Sequence, residues 1–391
     1  MKINPNIQKL IPEITSWRHQ IHAWPETAFE EKRTSEFVAE KLTSFGLKVH
    51  TGLAKTGVIG TLQKGSPDKP AVGLRADMDG LDILEENDLP YRSENPGKMH
   101  ACGHDGHTAM LLGAAKHLSQ CDEFNGTVHF IFQPAEENEG GAGVMVREGL
   151  FEKFPVQAVF GLHNFPMLPL GYFAIAPGPM MAAFDIFDIH IKGRGGHAAM
   201  PQQARDPILA ASYLISQFQS IVSRNLEPIE GSVISVTQIN GGTAYNIIPD
   251  DVCLKGTTRH FQSHIQDAIE ARMREIVDGV SKSMDVTVDF SYERRYPAVI
   301  NNLDKTQAAI NAAKLTAGDE KVISNLPPIM GSEDFAFLLQ KVPGAYMGLG
   351  AGVPEDGGML HQSRYNFNDA LLPVGVTYWE SLVKSLLPVN D

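Results

Sequence analysis

The chain has 391 residues, of which 43% are hydrophobic and 20% charged, and a formal net charge of -13. That length exceeds what one hydrophobic core supports and predicts two domains. The acidic balance excludes nonspecific binding to nucleic acid or to an anionic membrane, since both need a basic surface. No apolar run is long enough to span a membrane. The N-terminus, MKINPNIQKLIPEI, lacks the apolar core of a signal peptide. The three cysteines, Cys102, Cys121 and Cys253, are too few and odd in number for a disulfide framework. Together these features predict a cytoplasmic protein.

In chain order, residues 7–23 and 30–45 carry apolar side chains at helical spacing, for example Phe37, Val38, Leu42 and Phe45. Short β-type runs follow at 47–50, 57–62 and 71–75, the last leading into the acidic turn Ala76-Asp77-Met78-Asp79-Gly80. Next comes the most chemically loaded stretch, KMHACGHDGHTAM at 98–110, with one thiol and three imidazoles between His100 and His107. Only Gly103 separates Cys102 from His104, so a loop can aim both donors at one ion. The Ala-rich segment 108–118 behind them reads as a buried helix. TVHFIF at 127–132 is a predicted strand that runs out into QPAEENEGG, which carries Glu136 and Glu137. AVFGL at 158–162 is another, ending at His163. YMGLG at 346–350 leads through a Gly-rich loop to His361 in MLHQS.

Helices alternating with short apolar strands predict an α/β domain with a central mixed sheet flanked by helices. Ligands in such sheets gather beyond the carboxyl ends of the strands. Cys102, His104, Glu137, His163 and His361 all leave that edge. Singly, each reads as an ordinary loop residue; their shared placement points to a metal site. Five donors are too many for one tetrahedral zinc. Two metals ~3.5–4 Å apart that share a bridging ligand fit the number, with Cys102 able to bridge as a thiolate. Of the adjacent glutamates, one would bind metal while the other moves a proton from water to the leaving nitrogen.

A second unit begins near residue 180. Residues 184–192 alternate as a half-buried strand, 206–223 are helical, 232–240 and 252–259 alternate again, 265–282 are helical and 286–290 form a strand. The order βαββαβ predicts a ferredoxin-like domain. It is inserted as residues 184–297 between two parts of the catalytic domain, 1–183 and 298–391. Its exposed edge could carry a subunit contact, which predicts a homodimer through this domain. Within it, His197 follows the Gly-rich GRGG, Asn246 lies in NIIPD and Arg259 ends a strand. His197 is suited to stabilising a developing oxyanion, and Arg259 and Asn246 to holding a substrate carboxylate.

The strings MHACGHDGHTAML, QPAEENEGGA, FGLHN, GRGGHAAMPQ, NIIPD, GSEDF and LHQS resemble the M20 metallopeptidase family, in its amidohydrolase branch of hippurate hydrolases, N-acyl-amino-acid deacylases and auxin-conjugate hydrolases. The resemblance spans nearly the whole chain. It implies a two-metal catalytic domain carrying a lid domain that dimerises. Cys102 then corresponds to the bridging ligand, His104 and His163 to ligands of one metal, and Glu137 and His361 to ligands of the other. Glu136 corresponds to the general base, and His197 to the lid histidine that completes the partner subunit's active site. Asn246 and Arg259 match positions linked with substrate binding. The turn RADMDGLDI departs from the Leu-Pro that many relatives have after the second Asp, and leaves open whether Asp77 or Asp79 orients a ligand.

The implied activity is hydrolysis of the amide of an N-acyl amino acid to a free amino acid and a carboxylic acid. A dipeptidase or aminopeptidase of the same fold is the alternative. Two further classes compete: a metal-bearing protein without turnover, and a thiol enzyme in which His104 activates Cys102 as nucleophile. The mixed sulfur, nitrogen and oxygen set suits manganese or zinc, with cobalt and nickel also accommodated. Met180, Met181 and Met330, in loops that would line an acyl pocket, carry no readable code for acyl size.

Overall fold

The computed structural model describes residues 3–66, 68–137, 139–352 and 358–389. They divide into two compact units. The first comprises Met1–Met180, Ile300–Pro327 and Asp334–Asp391, and the second comprises Met181–Val299 with Pro328–Glu333.

Unit 1 is built on an eight-stranded mixed sheet, ordered Lys48–Leu53, Gly57–Lys64, Gly126–Gln133, Ala71–Asp77, Ala158–Phe165, Gly344–Gly350, Phe173–Ala174 and Val322–Ile323. The four central strands, from Gly126–Gln133 to Gly344–Gly350, run mutually parallel. Their carboxyl ends therefore share one edge. Strands buried on both faces read as continuous apolar runs, and the Ala158–Phe165 and Gly344–Gly350 strands are buried along nearly their whole length. The α/β alternation of the sequence is realised here as a mixed sheet with helices packed against it.

The loaded loop feeds directly into the central helix, His104–Ser119, which starts four residues earlier than the apolar pattern predicts. Gly103 is the reason. It takes φ 94 at the N-cap, a left-handed conformation that favours glycine, and a Cβ there would lie 2.4 Å from Asn164 Oδ1. Asp105 in the first turn adds favourable charge at the helix N-terminus. The strand predicted to stop at Leu162 likewise continues to Phe165, because Gly348 pairs with His163 and Gly350 with Phe165 on the neighbouring parallel strand.

The His104–Ser119 helix is buried on almost every side, between the Pro5–Ala23 and Leu372–Leu386 helices. Gly113 sits where both neighbours come close: a Cβ there would meet Ile14 Cδ1 at 2.5 Å and Val376 Cγ2 at 2.9 Å.

Unit 2 has a four-stranded antiparallel sheet ordered Ser232–Asn240, Asp251–His260, Ala183–Lys192 and Thr287–Tyr296. The Pro207–Ser220 and Ser263–Met284 helices cover one face. Phe187, Ile189, Ile191, Leu254, Phe218, Ile269 and Met273 make the core between them. The pleat sends alternate residues to opposite faces, so Asp188, His190 and Lys192 face away from the helices. Pro328–Glu333 clusters with this unit, a grouping with no signal in the sequence pattern. Ala182 N holds it by donating to Ile329 O at 3.1 Å and Gly331 O at 2.8 Å.

Gly113→Val should destabilise unit 1 by about 1–3 kcal/mol, the usual cost of overpacking a filled core. A denaturant titration followed by circular dichroism checks this; an unchanged midpoint would show that the helix contact is looser than the geometry states.

Candidate metal centre

The parallel edge of unit 1 gathers the five predicted donors. Cys102, Glu137 and His361 offer ligand atoms all within 4.8 Å of one another, as do His104, Glu136 and Glu137, and as do Asp77, His104, His107 and His163. Cys102 Sγ lies 3.4 Å from His163 Nε2, and His361 Nε2 lies 3.1 Å from Glu137 Oε1. Glu136 is buried and shares the cluster with His104 and Glu137.

Two backbone positions that aim these side chains are strained. Ala135 and His361 adopt φ 55 and φ 63, left-handed values that are uncommon outside glycine and persist where surrounding structure enforces them. At Ala135 the enforcing group is Glu31, whose Oε1 accepts from Ala135 N at 2.8 Å while Thr56 donates to Oε2 at 2.7 Å. Burial, aided by the Asp79 charge, pushes Glu31 up to about 7. At His361 the backbone N donates to Ala101 O at 2.8 Å, tying the Gly-rich loop to the thiol loop.

Of the two aspartates the sequence left open, Asp79 is the one that hydrogen-bonds a predicted ligand. Its Oδ1 bonds His104 Nδ1 at 3.1 Å and its Oδ2 accepts from Glu137 N at 2.9 Å. Asp77 bonds a different imidazole, His107 Nδ1 at 2.6 Å, and Arg75 at 2.7 Å, while its Oδ2 also lies 3.7 Å from His104 Nε2. Three imidazoles of one short stretch thus have three fates. His107 is engaged at both nitrogens, by Asp77 and by Asn164. His100 is buried, and burial holds it down at about 4. His104 is held at Nδ1, while its buried Nε2 has no hydrogen-bond partner among the described residues.

A divalent cation fits this set. The donors combine a thiol, imidazoles and a carboxylate, which suits a transition metal. His163 Nδ1 donates to Asn164 O at 2.8 Å, so Nε2 carries the lone pair, the second-sphere arrangement that prepares a ligating histidine. The electrostatics favour positive charge. His104 is raised well above the ordinary imidazole value because the Asp77 charge and the bonds to Asp79 and Cys102 outweigh burial. His361 is raised to about 10 by its bonds to Cys102 and Glu137. Burial and then Glu137 push the Cys102 thiol up, an environment opposite to that of a nucleophilic thiolate.

The predicted residues of unit 2 fall in two places. His197, in the short strand Gly196–His197, pairs with Ile247, and Ala198 N donates to Asn246 O at 3.0 Å, so His197 and Asn246 are neighbours. His197 Nδ1 accepts from Ala199 N at 3.1 Å. Arg259 lies near the end of the Asp251–His260 strand, where its guanidinium donates to Ser332 Oγ at 2.7 Å and covers the Phe184 ring. Sequence reading missed Glu31, Arg75 and Asp334. Arg75 joins Gln133, Asp77 and Asp334 beneath the cluster, and Asp334 also accepts from Ala142 N at 2.9 Å. Their only signal was the rarity of buried charges.

The chain places itself by comparison as well as by geometry. A hippurate hydrolase from Campylobacter jejuni is 42% identical over 387 residues, covering 99% of this chain and all of that protein. An N-acetylcysteine deacetylase from Bacillus subtilis is 37% identical, covering 96% of this chain and 97% of that protein. Among solved structures, a dinuclear metal-binding peptidase from Bacillus subtilis superposes with TM-score 0.83 at 33% identity, covering 97% of this chain and 99% of that one. This is a metal-dependent hydrolase acting on amides. It belongs to peptidase family M20/M25/M40, whose model matches residues 73–385.

The start of the His104 helix is anchored by a buried ionic cluster, in which Arg18 and His22 hold Asp105 at 3.1 and 2.8 Å and His22 also meets Glu85 at 3.2 Å. Burial works against charging His22, and the bonds to Asp105 and Glu85 outweigh both burial and Arg18, raising it to about 9. A histidine whose folded value exceeds its unfolded one stabilises fully below the unfolded value, and that stability is lost as pH rises through the folded value. Unit 1 should therefore lose on the order of 3 kcal/mol between pH 6.5 and 9 through this group. Denaturant midpoints across that window test it: the slope should be clearly shallower in His22→Asn than in the wild type, and equal slopes would remove His22 from the account.

Proposed function

We propose that the enzyme hydrolyses the amide of N-acyl amino acids, releasing a free amino acid and a carboxylic acid. The carrying observation is the meeting of Cys102, His104, Glu137, His163 and His361 beside Glu136, in which Cys102, His104 and His163 are buried, Glu137 is half-buried and His361 is exposed. The hippurate hydrolase and deacetylase relatives support the substrate class. The dinuclear character of the Bacillus subtilis peptidase supports two ions; manganese or zinc would suit the donors, with Cys102 shared, His104 and His163 holding one ion and Glu137 and His361 the other. Cobalt and nickel suit the same donors. When bound, the ions supply Lewis acidity that lowers the pKa of water and polarises the amide carbonyl.

The protein's own groups do the rest. Glu136 takes the proton of the attacking water and hands it to the leaving nitrogen, a transfer that contributes roughly 10²–10⁴-fold. Asp79 keeps His104 and the Glu137 backbone in register. His197 donates to the developing oxyanion, and Asn246 and Arg259 hold the substrate carboxylate, since charge-assisted hydrogen bonds from guanidinium suit a carboxylate. Burial and Asp185 act on Arg259 in opposite senses, and burial prevails, which leaves its charge poorly hydrated and favours an anion beside it.

Unit 2 serves as a ferredoxin-like lid, a reading supported by its antiparallel order: second, third, first and fourth strand. It pairs two copies as a homodimer in which His197 completes the partner subunit's site. The cytoplasm is the proposed location, supported by three free cysteines.

The test is release of amino acid from a panel of N-benzoyl, N-acetyl and indole-acetyl amino acids by enzyme stripped with a chelator and resupplied with Mn²⁺ or Zn²⁺. Turnover should vanish on stripping and return with metal. Glu136→Gln should lower kcat by roughly 10²–10⁴-fold while retaining metal content. Cleavage of peptides but not the panel would transfer the reading to a dipeptidase, and turnover that survives stripping would remove the metals from it.

A further inference from the structure

Unit 2 carries a second group of metal-ligating side chains with no part in the proposed chemistry. His190, Asp251 and Cys253 offer ligand atoms all within 4.8 Å of one another. They lie on the two central strands of the unit 2 sheet, where Cys253 is the cross-strand partner of His190. Directly opposed residues on an antiparallel pair bring their Cβ atoms ~4.5–5.5 Å apart. The alternation of each strand sets all three on the face turned away from the helices. Asp251 is exposed, and His190 and Cys253 are half-buried.

The row continues on both sides. Asn240 pairs with Cys253 from one outer strand and Asp289 with His190 from the other, so amide and carboxylate oxygens flank the three donors. The nearby cations are already matched: Lys192 donates to Asp289 at 2.8 Å, and Lys255 lies 3.0 Å from Asp188. Asp251 is left to His190, with Oδ2 3.1 Å from Nε2. That contact sets a carboxylate and an imidazole side by side next to a thiol.

We infer that His190, Asp251 and Cys253 form a surface site for a thiophilic divalent cation, zinc by preference, separate from the buried cluster of unit 1. A thiol with an imidazole selects zinc over calcium or magnesium, which take oxygen ligands. Zinc reaches sulfur at ~2.3 Å and nitrogen at ~2.0 Å, with water completing a tetrahedron. Partly exposed side chains close that set by rotations of about an ångström. Binding deprotonates the Cys253 thiol, releases its proton to solvent and displaces the His190–Asp251 hydrogen bond. Six residues separate Cys253 from Arg259 on one strand, ~20 Å at the rise of an extended chain, so the ion sits far from Arg259. Its role would be to clamp the two central strands.

The test is residue-specific. Metal-loaded enzyme is treated with iodoacetamide with and without added Zn²⁺, and modification of the Cys253 peptide is followed by mass spectrometry. Zinc at ten times its dissociation constant should slow Cys253 alkylation about tenfold, and His190→Ala should abolish the protection. Equilibrium dialysis should give the wild type one more zinc per chain than Cys253→Ser. That count is a difference, so it does not depend on how many ions the unit 1 cluster holds. Alkylation indifferent to zinc, protection that persists in His190→Ala, or equal zinc content in both proteins would overturn the inference.

Discussion

One carboxylate holds the site together. Asp79 stands just past the end of a central strand and spends its two oxygens on two separate segments, the first residue of the His104–Ser119 helix and the backbone N of Glu137. Helix, acidic turn and glutamate loop are thereby fixed to one another through a single side chain. Replacing it would leave a buried imidazole nitrogen and a backbone donor to find other partners, at a cost of about 1–3 kcal/mol for each buried group left unsatisfied. Around it the same logic repeats: Glu31 holds Ala135 in a left-handed turn, and Asp77 and Asn164 hold His107. The donors meet because their neighbours have no freedom to let them part.

Much of this was legible in the sequence because the sheet rule is strong. Strands ending in polar clusters place those clusters at one edge, and Cys102, His104, Glu137, His163 and His361 do gather there. What the sequence could not supply was the pairing of partners. Asp77 and Asp79 sit two residues apart in an extended segment, so periodicity gives both the same face. Only the end of the strand at Asp77 separates their roles. The helix start was misjudged for a related reason: a His-rich stretch lacks the apolar pattern of a buried helix, yet Gly103 and the Arg18–Asp105–His22 cluster let it begin at His104. Glu31 lies far from the cluster in sequence and was invisible as a site residue.

Unit 2 was read through alternation, and its elements fell close to their predicted ranges, the Ser232–Asn240 strand among them. The boundary was less legible. Pro328–Glu333 joins this unit through backbone hydrogen bonds to Ala182, an association of distant segments that no local pattern encodes. The same segment supplies Ser332, the hydrogen-bond partner of Arg259, so the cation proposed to bind substrate is positioned by a part of the chain 73 residues further on. The distribution of labour between units follows from their chemistry: unit 1 gathers the thiol, imidazole and carboxylate groups of the candidate metal centre, and unit 2 offers His197, Asn246 and Arg259 on a self-contained core.

The central claim is that Cys102 lies between two cations. The most direct measurement is an anomalous-difference map from crystals of manganese-loaded enzyme. The account predicts two peaks about 3.5–4 Å apart, both within bonding distance of Cys102 Sγ, one near His104 and His163 and the other near Glu137 and His361. A single peak, or a pair with Cys102 bound to neither, would contradict it.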